Sequence, residues 1–315
     1  MNNIKVIMPG IFTTIQDLGR YGAQEVGITT SGVMDSFSAR IANALVGNDS
    51  KNAVLETTFM GPTLEFLEEM VIAVTGAKGT VKINNEEVNM WESIKVSSGD
   101  KLSFGKIEKG LRNYIAFSGD IDVEPINNSK STLISSQMGG YQGRALKAKD
   151  ELKIIINKNA KAGKKLEEKH IPNLEPFQVA RVVLGPQDDY FTEKGIHDFF
   201  KSGGYMITKD FNRMGIRLTG KKLELKNGSD IISDGTVMGS IQVPSNGLPI
   251  ILMADRQTTG GYTKIGTVIT EDLPKLGQLK AMDRICFKQI SLEDAQKSYR
   301  EYETNLRKLE EELRK

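Results

Sequence analysis

The residues whose types and spacing could do chemistry are densest between positions 211 and 266. FNRMGIRLTG (Phe211–Gly220) gathers Asn212, Arg213 and Arg217 in a glycine-punctuated stretch. ISDGTVMGSIQVPSNGLPI (Ile232–Ile250) adds Gln242, ahead of Pro244 and an Asn246–Gly247 turn. LMADRQTTGGYTKIG (Leu252–Gly266) adds Asp255, Arg256, Gln257, Thr258, Gly260, Gly261, Tyr262 and Lys264. An apolar strand that stops at Asp-Arg-Gln-Thr-Thr-Gly-Gly sets polar side chains beside backbone N–H groups that glycine leaves approachable. Such a place can hold an anion, with arginine or lysine supplying charge. The plain reading stands beside it: Asp255–Gly261 as a β-turn, and Arg213 as half of a surface ion pair. There is no G-x-x-x-x-G-K-[ST] string, so any nucleotide is held in another way.

A second glycine-rich stretch, Gly10 to Asn48, holds Asp17, Arg20, Ser31, Asp35 and Asn43 as secondary candidates. Its plain reading is two turns and a helix cap, with Asn43 on the polar face, and that reading is preferred for the segment taken alone. Other chemistries are scarce. The chain has two histidines, His170 and His197, and one cysteine, Cys286, which excludes a thiolate-rich zinc site. Neither histidine has a second at helical or turn spacing, so no metal site is expected. A serine or cysteine triad would most simply need one of them as base, and no serine lies in G-x-S-x-G. Cys286, in the strand-like run Arg284–Phe287, reads as a small buried hydrophobe.

These residues must be positioned mainly by short strands joined by glycine-bearing turns. Val71–Val74, Val81–Ile83, Tyr114–Phe117, Leu152–Ile156 and Ile250–Met253 read as strands. A helix is expected from about Ser36 to Leu45, capped by Asp35, with Phe37, Ile41, Ala44 and Leu45 on one face and a stop at Gly47. A second is expected from about Asp188 to Phe200. Lys158–Pro176 is rich in lysine and glutamate and reads as a linker. The expected organisation is therefore residues 1–158 and 177–290 as two β domains, a charged linker over 159–176 and an amphipathic helix over 291–315. QMGGY (Gln137–Tyr141) echoes QTTGGY (Gln257–Tyr262), and GDKLSF, KDELKI and MDRICF share one ending, a faint sign of repetition. In the tail, Leu292, Ala295, Tyr299, Tyr302, Leu306, Leu309 and Leu313 form a heptad seam. It can pair with another chain or pack on its own.

Composition narrows the partners. A formal net charge of +2 over 315 residues gives no reason to expect nucleic acid or an anionic membrane. No stretch approaches the ~20 apolar residues of a membrane span, and the start, MNNIKVIMPG, does not read as a signal peptide. A cytoplasmic protein is expected.

TTIQDLGR, SGVMDSFSARIANALVGN, LETTFMGPTLEF, NRMGIRL, GSIQVPSNGLPIILMADRQTTGGY and the DL-x-x-L-x-Q spacing at Asp272–Gln278 together resemble the family of 5-oxoprolinase C subunits over about residues 4 to 290. That family is also called the biotin-dependent carboxyltransferase or allophanate-hydrolase-subunit-two family, and includes the antagonist of a sporulation-kinase inhibitor. The resemblance implies a mainly β protein of two cyclophilin-like β-barrel domains with a few helices. It implies a heterocomplex with a B subunit of related fold and an A subunit, hydrolysing 5-oxo-L-proline to L-glutamate with ATP and Mg2+. Asn212, Arg213, Gln242, Asp255, Gln257, Tyr262 and Lys264 would surround the site. Arg213 and Lys264 would then be anion clamps, Asp255 a metal or orienting ligand, and Gln257 and Tyr262 hydrogen-bonders to substrate. Other functions in reach are carboxyl transfer from carboxybiotin to an amide such as urea, and regulatory binding of the B subunit. No biotin-accepting A-M-K-M occurs; Ala281–Met282–Asp283 lacks the lysine, so biotin would come from a separate carrier. The chain departs from the family at Ala281–Met282, where Pro-Gly is common, and at Tyr262–Thr263, where Tyr-Pro is often found.

Overall fold

The computed structural model describes residues 2–315, which divide into two compact units. Unit 1 takes the chain up to Tyr21, Ser31–Leu174 and Asn305–Lys315; unit 2 takes Gly22–Thr30 and Glu175–Thr304. Both are mainly β, as expected.

Unit 1 contains β1 (Ile4–Met8), β2 (Phe12–Gln16), β3 (Val54–Thr58), β4 (Thr63–Phe66), β5 (Met70–Ile83), β6 (Glu86–Val88), β7 (Ser93–Val96), β8 (Lys101–Phe117), β9 (Gly119–Ile121), β10 (Glu151–Leu152) and β11 (Ile154–Ile156). Nine of these form a curled antiparallel sheet in the order β10-β1-β4-β8-β3-β2, with β5 on β8 and carrying β6 and β7. β9 and β11 pair separately. Alternation puts Ile15, Leu55, Val74 and Ile115 on one face, where they are buried with Ile4, Val6, Leu64, Phe66 and Phe117. The opposite face is covered by α1 (Ser36–Leu45), whose cap Asp35 accepts from Ser38 N at 2.9 Å.

The lysine-rich segment after residue 158 lies along unit 1 as far as Leu174. Ser93 N donates to Lys164 O at 2.8 Å, and Leu166 N to Trp91 O at 2.9 Å. Leu166 is fully buried and Leu174 is buried at the end of the stretch, so two leucines in a largely polar segment hold it in place.

Unit 2 contains β12 (Phe177–Leu184), β13 (Tyr205–Phe211), β14 (Gly215–Thr219), β15 (Asp230–Gly235), β16 (Ser240–Gln242), β17 (Ile250–Leu252), β18 (Thr259–Tyr262), β19 (Lys264–Val268) and β20 (Arg284–Gln289). Seven of them close a barrel in the order β12-β19-β16-β17-β14-β13-β20, and the parallel pairing of β20 with β12 completes the ring. β15 and β18 form a separate two-stranded ribbon. Ala180, Val182, Ile207, Ile216, Leu218, Ile241, Ile251, Ile265 and Ile285 are buried. α2 (Glu193–Lys201) starts later than the expected Asp188, because Asp188–Tyr190 makes a 3-10 turn and Thr192 caps the helix through Gly195 N at 2.9 Å. Its Phe199 stacks on Phe287, with centroids 4.4 Å apart.

A short helix, α3 (Leu273–Leu276), precedes β20, and α4 (Leu292–Arg314) follows it. Leu306 and Leu313 of the heptad seam are buried within unit 1, where Arg40 Nε meets Glu310 Oε1 at 2.6 Å. Leu292 and Tyr299, at the other end, are exposed. The far half of the seam therefore packs on its own chain.

Candidate functional site

A cleft of about 260 Å³ lies on the outer surface of the unit 2 barrel. Strand alternation places it there. In β14, Ile216 and Leu218 turn into the barrel, so Gly215 and Arg217 turn outward. In β17, Ile251 turns inward while Ile250 and Leu252 face out. Register then aligns one row: Arg217 is opposite Ile250, and Ile250 opposite Gln242. These three, with Gly215 and Leu252, make the floor.

The walls come from loops and the ribbon. Thr259 and Tyr262 of β18 line one side, with Thr236, Arg256 and Gln257 beside them; Asp210, Asn212 and Met214 line another. Asn212 Oδ1 accepts from Met214 N at 2.7 Å and Gly215 N at 3.2 Å, which fixes the turn and leaves the Nδ2 hydrogens for a ligand. Thr236 N donates to Thr258 O at 3.0 Å and its hydroxyl to Gln257 O. Thr258 thus supports the wall through its backbone. Gly260 presses on Gln242, and Gly261 continues the ribbon. Thr263, where the resembling family often has proline, uses its N–H to donate to Ser229 O at 2.8 Å.

Three expected groups are brought near the cleft but do not line it. Arg213 binds Asp255 through two parallel bonds, Nε to Oδ2 at 2.8 Å and Nη2 to Oδ1 at 2.9 Å. Both side chains are largely buried, and Asp255 N donates to Arg213 O at 2.8 Å. That fork locks the Asn212–Met214 turn to the start of the 255–261 loop. Lys264 is buried, with Nζ donating to Asp234 Oδ2 at 2.8 Å. This ammonium, joined by the Gln187 amide and the Gly235 N–H, holds the Asp234 carboxyl below the usual carboxylate range. Arg213, Asp255 and Lys264 thus act here as positioning groups.

Arg217 and Arg256, the cleft's cations, stand in the clusters read from the sequence, but no role at the site was given to either. Period-two alternation in GIRLT would have found Arg217. Among the described residues it has no carboxylate within ion-pair distance, and it is exposed.

The five secondary candidates fall in unit 1 and are structural in their contacts. Asp17 accepts from Gly19 N at 2.8 Å, Ser129 Oγ at 2.7 Å, Lys130 N at 2.6 Å and Ser131 Oγ at 2.5 Å. Arg20 is buried and donates to Ser131 O; Ser31 Oγ donates to Thr132 O at 3.0 Å. Asp35 is the α1 cap. Asn43 corrects the plain reading: it is buried, with Nδ2 on Asn52 O at 2.8 Å and Oδ1 taking a bond from Asn48.

Residues 26–289 match the family described as carboxyltransferase domain, subdomain A and B. The chain belongs to this carboxyltransferase domain family. Within it, the 5-oxoprolinase C subunit of Escherichia coli is 36% identical over 295 residues, covering 94% of each chain. The Haemophilus influenzae 5-oxoprolinase C subunit is 34% identical and covers 93% of each. The crystal structure of the Kluyveromyces lactis urea amidolyase superposes with a TM-score of 0.91 at 32% identity, over 98% of this chain and 20% of that one. This carboxyltransferase-family chain therefore spans about a fifth of the amidolyase, but nearly the whole of the bacterial proteins.

Proposed function

We propose that this chain is the C subunit of a heteromeric ATP-dependent 5-oxoprolinase, and that the unit 2 cleft holds the cyclic amide. The supporting observation is the end-to-end likeness to the E. coli protein, 94% of both chains. 5-Oxoproline carries a carboxylate, a lactam N–H and a lactam carbonyl. Arg217 pairs with the carboxylate, taking the clamp role first assigned to Arg213 and Lys264. Gln242, two strands away in the same cross-strand row with Ile250 between, presents a carboxamide that complements the lactam N–H and C=O. Tyr262, Gln257 and the Asn212 amide complete the polar contacts.

An unstrained lactam is a poor electrophile. Transfer of the ATP γ-phosphoryl group to its oxygen, with ADP leaving, makes the lactam carbon electrophilic; water adds there, the C–N bond breaks to free the amine, and hydrolysis of the resulting acyl phosphate releases phosphate and glutamate. A 260 Å³ cleft is smaller than the ≈ 300–1,000 Å³ pockets that enclose drug-sized ligands, which supports a small acid here and ATP with Mg2+ on the B or A subunit. An ATP-dependent reaction fits the cytoplasm. A second reading, carboxyl transfer from a carrier-borne carboxybiotin to an amide, draws on the likeness to the urea amidolyase.

The test is to co-express the chain with A and B subunits and assay glutamate release from 5-oxoproline with and without ATP. ATP-dependent release that requires this chain is expected. Arg217→Ala should raise KM about tenfold or more, the loss of one charged hydrogen bond, without lowering Tm. A stable complex that never releases glutamate would overturn the proposal and favour carboxyl transfer or regulatory binding.

A further inference from the structure

Residues Gly22–Thr30 come from the amino-terminal part of the sequence, yet they belong to unit 2. The segment is a self-closed loop. Gln24–Val26 makes a 3-10 turn, Gly27 N donates to Gln24 O at 2.9 Å, and Ile28 N to Ala23 O at 3.1 Å. Its outer residues, Glu25 and Val26, are exposed, whereas Thr30 is 3% exposed. Both of its last threonines reach the same residue. Thr29 Oγ1 donates to Arg256 O at 3.0 Å, and Arg256 Nη1 donates to Thr30 Oγ1 at 3.1 Å.

Arg256 lines the cleft and is 8% exposed. Its Nη1 also reaches Met253 O at 3.4 Å, and its N–H donates to the same carbonyl at 3.2 Å. The preceding residue, Asp255, is held by the Arg213 fork. Two of these bonds, from Nη1 to Thr30 Oγ1 and to Met253 O, hold the Arg256 guanidinium itself, and the others hold its backbone and the loop around it; a long flexible side chain held in place spares the ordering entropy that binding would otherwise require.

We infer that Gly22–Thr30 is a strap that presets Arg256 in the cleft, with Thr30 as the positioning residue, so that Arg256 meets the anionic or carbonyl oxygen end of the ligand already oriented. The catalytic part of this inference rests on the reading of the cleft as the cyclic-amide site; the strap itself does not. Thr30→Val removes the acceptor at nearly constant volume, and Thr30→Ser keeps it.

Two readouts separate the two parts. In the full complex, Thr30→Val is expected to raise KM for 5-oxoproline about tenfold with kcat within about twofold, the pattern of lost uniform binding, and Thr30→Ser is expected to restore it. On the chain itself, a protease that cuts after glutamate is followed by mass spectrometry at Glu25. Thr30→Val and Arg256→Gln should each speed that cleavage several-fold, and Thr30→Ser should not. Equal cleavage in all variants would overturn the strap. Faster cleavage with an unchanged KM would overturn the positioning role. A wild-type complex with no turnover and no 5-oxoproline binding would overturn the functional reading of the cleft and the role of Arg256 in it, while the cleavage result would still decide the strap.

Discussion

Gly260 lies so close to the Gln242 carboxamide that a β-carbon on Gly260 would stand 2.2 Å from Gln242 Nε2. The clash is with the far end of a flexible side chain, so a methyl group there displaces Gln242 more than it strains the barrel. Gly260→Ala should therefore change stability by less than about 1 kcal/mol. It should raise KM for the cyclic amide about tenfold, the equivalent of roughly one hydrogen bond. The decisive comparison is a double-mutant cycle with Gln242→Ala. If the two changes act through the same carboxamide, the double variant is no worse than Gln242→Ala alone. Additive losses would show that Gly260 acts on the ribbon instead.

The Arg213–Asp255 fork gives the opposite pattern. Both side chains are nearly buried, at 8% and 11% exposure, so removing one strands the other charge away from water. Breaking such a pair costs about 3–5 kcal/mol when fully buried. Arg213→Met should lower the urea midpoint accordingly, and activity should fall with it because the Asn212 turn and the Arg256 loop lose their tie. Arg213→Met combined with Asp255→Leu should recover part of the stability, since neither charge of the fork then remains to be buried. A double variant less stable than either single one would contradict this account.

Much of the local structure was legible in the sequence. Ser36–Leu45 and its Asp35 cap match the helix as read, because capping and apolar spacing are encoded within a dozen residues. What escaped was encoded at long range. Arg213 and Lys264 are conspicuous as cations, but their partners lie 42 and 30 residues away, so their pairing could not be read locally. Asn43 was placed on a polar face because helical periodicity shows sidedness but not what covers each side. The attachment of Thr30 to Arg256 spans 226 positions, and no pattern in GAQEVGITT announces it.

The faint repetition of GDKLSF, KDELKI and MDRICF proves to be one turn built three times. Gly99, Lys149 and Met282 all have positive φ, at 93°, 73° and 75°. Each N–H donates to a carbonyl on a neighbouring strand (Phe66, Val6 and Ile207), and the N–H of that same residue returns a bond to the following aspartate's carbonyl. Asp100, Asp150 and Asp283 each accept through Oδ2 from the N–H three residues back, at 2.7, 2.7 and 3.0 Å. Only the first copy has glycine. Lys149 and Met282 sit in the left-handed region, which strains an L-residue by roughly 1–2 kcal/mol, against the extra chain entropy that glycine brings to the unfolded state. Met282 is largely exposed. Met282→Gly and Lys149→Gly should each stabilise the protein by up to about 1 kcal/mol, seen as a rise in Tm. A fall in Tm for both would mean that side-chain packing, not backbone strain, governs the turn.

Tyr205 gives the chain an alkaline limit. It is fully buried in unit 2, with its ring centroid 6.2 Å from Phe199 and 5.9 Å from Phe287. Burial pushes its phenol up to about 12, while in the unfolded chain it ionises near 10. Below pH about 10 the group is protonated in both states and its contribution is constant. Between about 10 and about 12 the unfolded chain releases its proton while the folded chain keeps it, so the unfolded state gains and stability falls as pH rises. Above about 12 both forms are ionised and the loss levels off. Tyr205→Phe removes this component. The difference in urea stability between wild type and Tyr205→Phe should therefore be flat up to pH about 10 and then shift steadily in favour of the variant. Other groups titrating in that range cancel in the difference. A difference that stays flat throughout would show that the Tyr205 phenol is hydrated in the folded barrel and titrates as it does in the open chain.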